Sequence, residues 1–170
     1  GARHAFQAPQ PLHDGRVVTV SSGVHRRSDG TFDVTSLDDY DGLDAYARSK
    51  LANILFTLGL ARRLDGPTAN CCHPGLVPSS SIWRDASIPV RLAVGVLSHL
   101  PQALVGGVVE TPATGAETTV YLAASPAVEE VTGQYFSDCA PEDPSATATD
   151  ERLVRELWDL SEAVTGVSWS

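Results

Sequence analysis

Tyr46 and Lys50 form the pair of residues whose types and spacing most clearly predict chemistry. A separation of four residues places both side chains on one face of a helix, within reach of a shared ligand. A tyrosine hydroxyl ionises at about pH 10, which is too high for efficient proton transfer at neutral pH. A nearby ammonium group favours the phenolate and makes the proton easier to transfer. The pair therefore predicts an acid–base phenol, although a solvated helix face is the alternative interpretation of the same spacing.

Lys50 is also the single lysine among 12 basic residues, the other 11 being arginines. GC-rich coding or adaptation to high salt would each favour arginine over lysine in an acidic protein. A compact ammonium on a flexible stem suits both a phenol and a sugar hydroxyl, whereas the broad guanidinium fork does not. The remaining lysine therefore indicates a task that arginine cannot perform.

Two further groups of polar residues follow short apolar runs. Residues 17–20 (VVTV) predict a buried strand that ends at Ser21-Ser22-Gly23. Residues 68–73 predict a second strand that ends at Pro74-Gly75. Because ligands of open α/β sheets bind at the carboxyl ends of strands, we expect both strand ends and the Tyr46 helix at one rim of one sheet.

The remaining segments supply the elements that must position these groups. Apolar periodicity predicts helices over about 43–64, 111–124 and 149–164, and a third strand over 133–137. Alternation of strands and helices is typical of a parallel sheet with crossover helices. We expect one partial domain over residues 1–170, with an irregular start at 1–15 and short apolar helices over a cavity at 82–109.

In their order along the chain, these motifs resemble the short-chain dehydrogenase/reductase family, especially its retinol-dehydrogenase and WW-domain-containing-oxidoreductase branch. The resemblance is carried by RVVTVSSG (16–23), YARSKLANILFTLGLARRL (46–64), HPGLV (73–77), TPATGAETTVYLAAS (111–125), GQYFSDC (133–139) and LWDLSEAVTG (157–166). It implies a Rossmann-like, doubly wound α/β fold, of which this chain supplies the C-terminal portion with about three strands. It also implies an NAD(P)-dependent oxidoreductase that interconverts an alcohol and an aldehyde or ketone.

The resemblance assigns catalytic roles to Ser22, Tyr46 and Lys50. Ser22 would polarise and orient the substrate oxygen, and Tyr46 would be the general acid in reduction and the base in oxidation. Lys50 would assist the phenol and hold the nicotinamide ribose. Both Tyr46 and Lys50 thereby also contact the cofactor.

Further cofactor contacts are implied for the segment after the second strand. Pro74, Gly75 and Val77 match the family's segment that packs on the nicotinamide, and Ser79 matches a hydroxyl that meets the cofactor's phosphate or amide. Residues 80–109 would form the substrate lid, whose apolar composition favours a small apolar alcohol or carbonyl substrate.

The sequence departs from the family in its N-terminal half. It has no glycine-rich T-G-x-x-x-G-x-G turn, no N-A-G strand end and no match for the asparagine of the catalytic set. We therefore expect the dinucleotide-binding half to be missing, so that NAD and NADP are not distinguished. A truncated, non-catalytic remnant is the alternative function. An epimerase or dehydratase of the wider superfamily would use the same tyrosine and lysine but would have a longer C-terminal domain.

Composition excludes several other functions. With 21 acidic and 12 basic residues, the net charge of −9 argues against a nucleic-acid partner and against binding to anionic lipid. No apolar run reaches the roughly 18 residues that a membrane span needs. A homo-oligomer is possible for the full-length form.

The cysteines and histidines predict structural positions. Three cysteines, two of them adjacent, do not form a disulfide framework, so we expect a cytoplasmic protein. The run Cys71-Cys72-His73 has no second ligand pair at zinc spacing, so we expect buried cysteines and no metal site. The histidines expected on the surface, without partners, are His4, His13, His25 and His99.

Overall fold

The central feature of the fold is a four-stranded sheet in which the strands lie in chain order. The computed structural model describes residues 15–32, 40–75, 92, 95, 96 and 111–169. The strands are β1 (Arg16–Val20), β2 (Thr68–Cys72), β3 (Tyr135–Ser137) and β4 (Ala140–Pro141). The first three pair in parallel, and Val20 lies opposite Cys72, so β1 and β2 end at the same edge of the sheet. The predicted parallel sheet is confirmed. The prediction that the first strand is buried was wrong, since Val17 and Val20 are exposed on β1 at the edge of the described sheet.

The fourth strand was not predicted from the sequence. It runs antiparallel to β3 after a two-residue turn at Asp138 and Cys139, whose φ angles are 48° and 59°. Two-residue hairpin turns with positive φ usually show Asn-Gly or Asp-Gly, and this turn has neither. A strand of two residues is also too short to show an alternating pattern.

Three helices connect and cover the strands. They are α1 (Gly42–Ala61), α2 (Pro112–Ala124) and α3 (Glu151–Thr165). Asp41 caps α1 by accepting hydrogen bonds from the backbone N–H groups of Leu43 and Asp44. Thr111 and Thr114 form a reciprocal capping box at the start of α2. The predicted helices are confirmed with shifts of a few residues at their ends.

The helices lie on the two faces of the sheet, as adjacent residues of β2 and β3 show. Cys71 and Tyr135 pack with apolar residues of α1 and α3, whereas Cys72 and Phe136 pack with Leu122 of α2. Successive residues of a strand point to opposite faces, which explains this division. The expectation that Cys71 and Cys72 are buried is confirmed, and the result is a three-layer α/β arrangement.

Close packing between α1 and α3 holds the first of these layers together. Gly59 of α1 faces Trp158 of α3, and a Cβ at position 59 would lie 3.0 Å from Trp158 Cε3. The Trp158 ring also stacks on Phe56 with a centroid separation of 5.8 Å.

Within the described ranges, the helices lack the combination of length and apolar character needed to span a bilayer.

Two predicted segments lie largely outside the described residues. The irregular start, 1–15, is described only at residue 15, and the lid, 80–109, only at Leu92, Gly95 and Val96. Leu92 and Val96 are both exposed.

Candidate active site

The end of β1 presents the two serines in different environments. Ser21 is buried, and its hydroxyl donates a hydrogen bond to the Lys50 backbone carbonyl at 2.7 Å. Ser22 is half-buried and caps a 3₁₀ segment, Gly23–Arg27, by accepting a 3.3 Å hydrogen bond from the Val24 N–H. A hydroxyl that accepts one hydrogen bond can still donate its own hydrogen. The arrangement therefore leaves Ser22 able to donate to a substrate oxygen.

Tyr46 and Lys50 lie on the first half of α1, beside the end of β1. The Lys50 Nζ is 5.5 Å from the centroid of the Tyr46 ring and donates a 3.3 Å hydrogen bond to the Val20 carbonyl. Both side chains are partly exposed. The expected proximity of ammonium and phenol at this strand end is therefore present.

Asn53 is a positioning residue of this site that the sequence analysis missed. Its side-chain Nδ2 donates a 3.0 Å hydrogen bond to the same Val20 carbonyl that Lys50 contacts. Asn53 follows Lys50 by three residues, so the spacing that placed Lys50 on the face of Tyr46 could have identified it. Two donors on one carbonyl fix α1 to the end of β1.

The end of β2 carries the segment expected to meet the nicotinamide. Gly75 has a φ of 69°, and its N–H donates a 3.1 Å hydrogen bond to Nδ1 of His73. Pro74 is half-buried and Gly75 is exposed. Val77 and Ser79, the other predicted cofactor contacts, lie outside the described residues. The structure thus brings the Pro74-Gly75 turn to the rim that holds Ser22, because β1 and β2 end together.

His25 is completely buried, so the prediction that it lies on the surface was wrong. Its Nδ1 is 2.8 Å from the Ser22 carbonyl, and its Nε2 accepts a 3.1 Å hydrogen bond from the Ser145 N–H. Burial lowers the pKa of His25 below the ordinary 6.5, and the hydrogen bond with Ser22 only partly offsets this. Ser145 is far away in sequence, which is why no local pattern indicated a partner.

The buried thiols near the site, Cys71 and Cys72, are unreactive. Burial raises the pKa of Cys71 to about 12, and burial also raises the pKa of Cys72. Since the thiolate is the nucleophile and the metal ligand, neither residue is suited to those roles. Across the described part of the chain, no group of three or more His, Cys, Asp or Glu side chains is placed to hold a metal ion.

Comparisons with known proteins show which proteins this chain is similar to. No protein-family model matches the chain. Retinol dehydrogenase 14 of Homo sapiens is 43% identical over 155 residues, which cover 89% of this chain and 44% of that protein. The WW domain-containing oxidoreductase of Homo sapiens is 39% identical over 161 residues, covering 86% of this chain and 36% of that protein.

A solved structure of an uncharacterized protein from Mycobacterium paratuberculosis has the same fold. It matches with a TM-score of 0.62 and 25% identity, covering 92% of this chain and 52% of that one. The chain spans less than half the length of the two curated relatives. The structure has a partial Rossmann-like fold. Over the region that matches its relatives, the chain belongs to the short-chain dehydrogenase/reductase family.

Proposed function

We propose that this chain carries the catalytic residues of an NAD(P)-dependent oxidoreductase that interconverts an alcohol and an aldehyde or ketone by hydride transfer. One observation carries the proposal: the Lys50 ammonium lies between the end of β1 and the Tyr46 ring, 5.5 Å from its centroid. An ammonium at this position lies beside the Tyr46 ring and has donors left for a ribose hydroxyl. The names of the relatives, retinol dehydrogenase 14 and WW domain-containing oxidoreductase, support the same class of reaction.

Each residue of the site has a defined task in the proposed reaction. In reduction, the Ser22 hydroxyl donates a hydrogen bond to the substrate carbonyl and holds it beside Tyr46. The Tyr46 hydroxyl gives its proton to the carbonyl oxygen, and in oxidation the phenolate takes a proton from the alcohol. The family resemblance gives Lys50 the task of assisting the phenol and holding the nicotinamide ribose. A bound nicotinamide supplies or accepts the hydride.

The described residues fit the nicotinamide end of such a cofactor. Lys50 offers an ammonium for the ribose hydroxyls, and Gly75 exposes a turn with positive φ on which a flat ring can pack. By the family resemblance, Val77 and Ser79 are further proposed cofactor contacts. The fit holds equally for NAD and NADP. The proposal further includes a small apolar substrate, a cytoplasmic location and a possible homo-oligomer.

The test uses the longest open reading frame that carries this chain, called the full-length protein below. Purified full-length protein is titrated with NADH and with NADPH by fluorescence, and alcohol oxidation is followed by nicotinamide absorbance for alcohols of increasing apolar length. We expect micromolar binding of at least one cofactor and turnover that is lost in Tyr46→Phe. Binding without turnover for any alcohol, aldehyde or ketone would contradict the proposed reaction.

The same titration on residues 1–170 alone separates the enzyme from the non-catalytic remnant. We expect no useful affinity there, since the pyrophosphate and adenosine need a glycine turn and the helix N-terminus behind it. If the full-length protein also fails to bind either cofactor, the remnant is the correct interpretation. Micromolar binding by residues 1–170 would show that the half-site is sufficient.

A further inference from the structure

Two imidazoles flank the ring of Tyr135 behind the candidate site. His25 meets this ring edge-on, with centroids 5.3 Å apart, and His73 stacks on it at 5.7 Å. His25 follows β1 and His73 follows β2, so the two imidazoles belong to the two loops that carry Ser22 and Gly75. Both also contact the segment that follows β4, residues 142–145. The pair thus connects the loops of the site to a third part of the chain.

The hydrogen bonds of His25 define its protonation. The backbone N–H of Ser145 can only donate, so Nε2 of His25 must accept and carries no proton. The proton of the neutral ring is therefore on Nδ1, from where it donates to the Ser22 carbonyl at 2.8 Å. Protonation of Nε2 would replace an acceptor by a donor facing the Ser145 N–H. These two hydrogen bonds form the His25 bridge between Ser22 and Ser145, which exists only with a neutral imidazole. The contacts of His73 with Gly75 and Glu142 form the His73 bridge.

The same reasoning assigns the opposite tautomer to His73. The Gly75 N–H donates to Nδ1 at 3.1 Å, so the proton of the neutral ring is on Nε2, which lies 3.4 Å from Glu142 Oε2. Arg26 donates a 2.7 Å hydrogen bond to the same carboxylate and a 2.8 Å hydrogen bond to the Asp143 carbonyl.

Arg26 belongs to the same 3₁₀ segment as His25. It therefore connects that segment to the contact between His73 and Glu142. Burial by itself would raise the pKa of Glu142, but hydrogen bonds from Arg26 and His73 outweigh it and leave that pKa lowered. The carboxylate therefore stays ionised as the acceptor that His73 needs.

We propose that His25 and His73 are positioning residues that hold Ser22 and Gly75 in place against residues 142–145, using opposite neutral tautomers. Neither imidazole needs to touch substrate or cofactor. His25 acts through the backbone of the catalytic serine, and His73 acts through the backbone of the glycine that faces the nicotinamide. The roles of Ser22 and Gly75 rest on the proposed function, whereas the imidazole bridges do not.

The first experiment measures the tautomers directly in residues 1–170 and in the full-length protein. Long-range ¹H–¹⁵N NMR spectra of the imidazole nitrogens at pH 7.5 report which nitrogen carries the proton. We expect a protonated Nδ1 in His25 and a protonated Nε2 in His73. Free imidazoles favour the Nε2–H form, so His25 is the diagnostic residue. A His25 ring that is charged, or protonated on Nε2 alone, would overturn the proposal.

The second experiment removes the hydrogen bond from the Gly75 N–H to His73 in one variant and restores an acceptor for it in another. His73→Leu deletes the acceptor for Gly75, whereas His73→Asn keeps one, because an Asn Oδ1 accepts the N–H two residues ahead in an Asx turn. We expect amide exchange at Gly75 to accelerate about tenfold in His73→Leu, as the loss of one hydrogen bond implies, and to stay near the original rate in His73→Asn. Equal exchange rates in the parent and both variants would overturn the bridge at His73.

Kinetics of the full-length protein connect the bridges to catalysis. In His73→Leu, we expect kcat/KM for the cofactor to fall by about tenfold or more, because misplaced groups lose near-attack geometry, with recovery in His73→Asn. Unchanged kinetics in His73→Leu, with accelerated Gly75 exchange, would show that the bridge has no positioning role. If the unmutated protein shows no turnover while both tautomers are as expected, the proposed function fails and the bridges stand.

Discussion

The hydroxyl of Ser21 donates a 2.7 Å hydrogen bond to the backbone carbonyl of Lys50, and this contact joins the end of β1 to the middle of the helix that carries the acid–base pair. The neighbouring Ser22 uses its hydroxyl differently, as the cap of the following 3₁₀ segment. The two adjacent serines therefore have separate tasks. Ser21 joins α1 to the end of β1, and Ser22 is the serine that we propose as the substrate contact.

Substitution of each serine by alanine should separate these tasks. Ser21→Ala removes a buried hydrogen bond, so we expect the free energy of unfolding to fall by about 1 kcal/mol. Ser22→Ala should change stability less and should abolish most turnover of the full-length protein. Chemical denaturation and steady-state kinetics measure the two effects. A larger loss of turnover in Ser21→Ala than in Ser22→Ala would reverse our assignment.

Tyr46→Phe should remove proton transfer while leaving the fold and cofactor affinity nearly unchanged. The ring still packs beside Lys50, but the hydroxyl that exchanges the proton is gone. General acid–base catalysis contributes about 10²–10⁴-fold, and we expect kcat to fall by that factor. Single-turnover kinetics and cofactor titration on the same sample provide the measurement. A phenylalanine variant with near-normal kcat would exclude Tyr46 as the acid–base group.

Lys50→Arg should also impair the full-length protein, although the positive charge is kept. The guanidinium spreads its charge over a broad plane and does not fit the space that a compact ammonium occupies between phenol and ribose. An arginine can still donate to the Val20 carbonyl, so we expect little change in stability. Cofactor affinity and the pH optimum of alcohol oxidation are the quantities to follow. If both stay unchanged, the single lysine has no special role.

Gly59→Ala should destabilise the chain even though alanine favours helices. The added Cβ would lie 3.0 Å from Trp158, whose ring cannot retreat because it stacks on Phe56 and lies 3.9 Å from the Arg63 guanidinium carbon. Overpacking of this kind costs about 1–3 kcal/mol, more than the roughly 1 kcal/mol gained in helix propensity. Thermal and denaturant unfolding should show a lower midpoint.

Gly42→Ala in the same helix is the matched control for this prediction. A Cβ at position 42 would lie 3.8 Å from the Tyr40 ring, which is ordinary van der Waals contact. We expect unchanged or slightly increased stability there. Equal effects at positions 42 and 59 would mean that the contact with Trp158 is not tight.

The buried His25 should make the chain less stable as the pH falls below about 6.5. Because burial lowers its pKa in the folded state, the unfolded chain binds the proton at a higher pH than the folded chain does. Stability therefore rises with pH between the two pKa values, by at most about 1.4 kcal/mol per pH unit. Urea denaturation at intervals from pH 5 to 7.5 measures the slope.

His25→Gln isolates the contribution of this residue, since glutamine does not titrate. The variant should be less stable at pH 7.5 and should show a shallower dependence of stability on pH. The other histidines and the carboxylates are common to both proteins and cancel in the difference. An identical slope in the two proteins would show that His25 does not control this dependence.

Much of the fold followed from local sequence patterns. The spacing of apolar residues and the capping side chains Asp41 and Thr111 specify helices through contacts within a few residues, and the structure confirms them. The β-branched run before Ser21 specifies β1 for the same kind of reason. The motif at Tyr46 and Lys50 also lies within one helical turn, so its two side chains meet wherever the helix forms.

The tertiary structure decided which polar groups meet across the chain. His25 was expected on the surface, yet it is buried against Ser145, 120 residues further along. A bond of this kind forms only after β1, β2 and β3 have assembled and brought the segment after β4 beside the strand ends. The same holds for His73 and Glu142, and for Arg26, which joins them. No sequence periodicity encodes such contacts, because the partners come together only when the sheet assembles and are not neighbours in sequence.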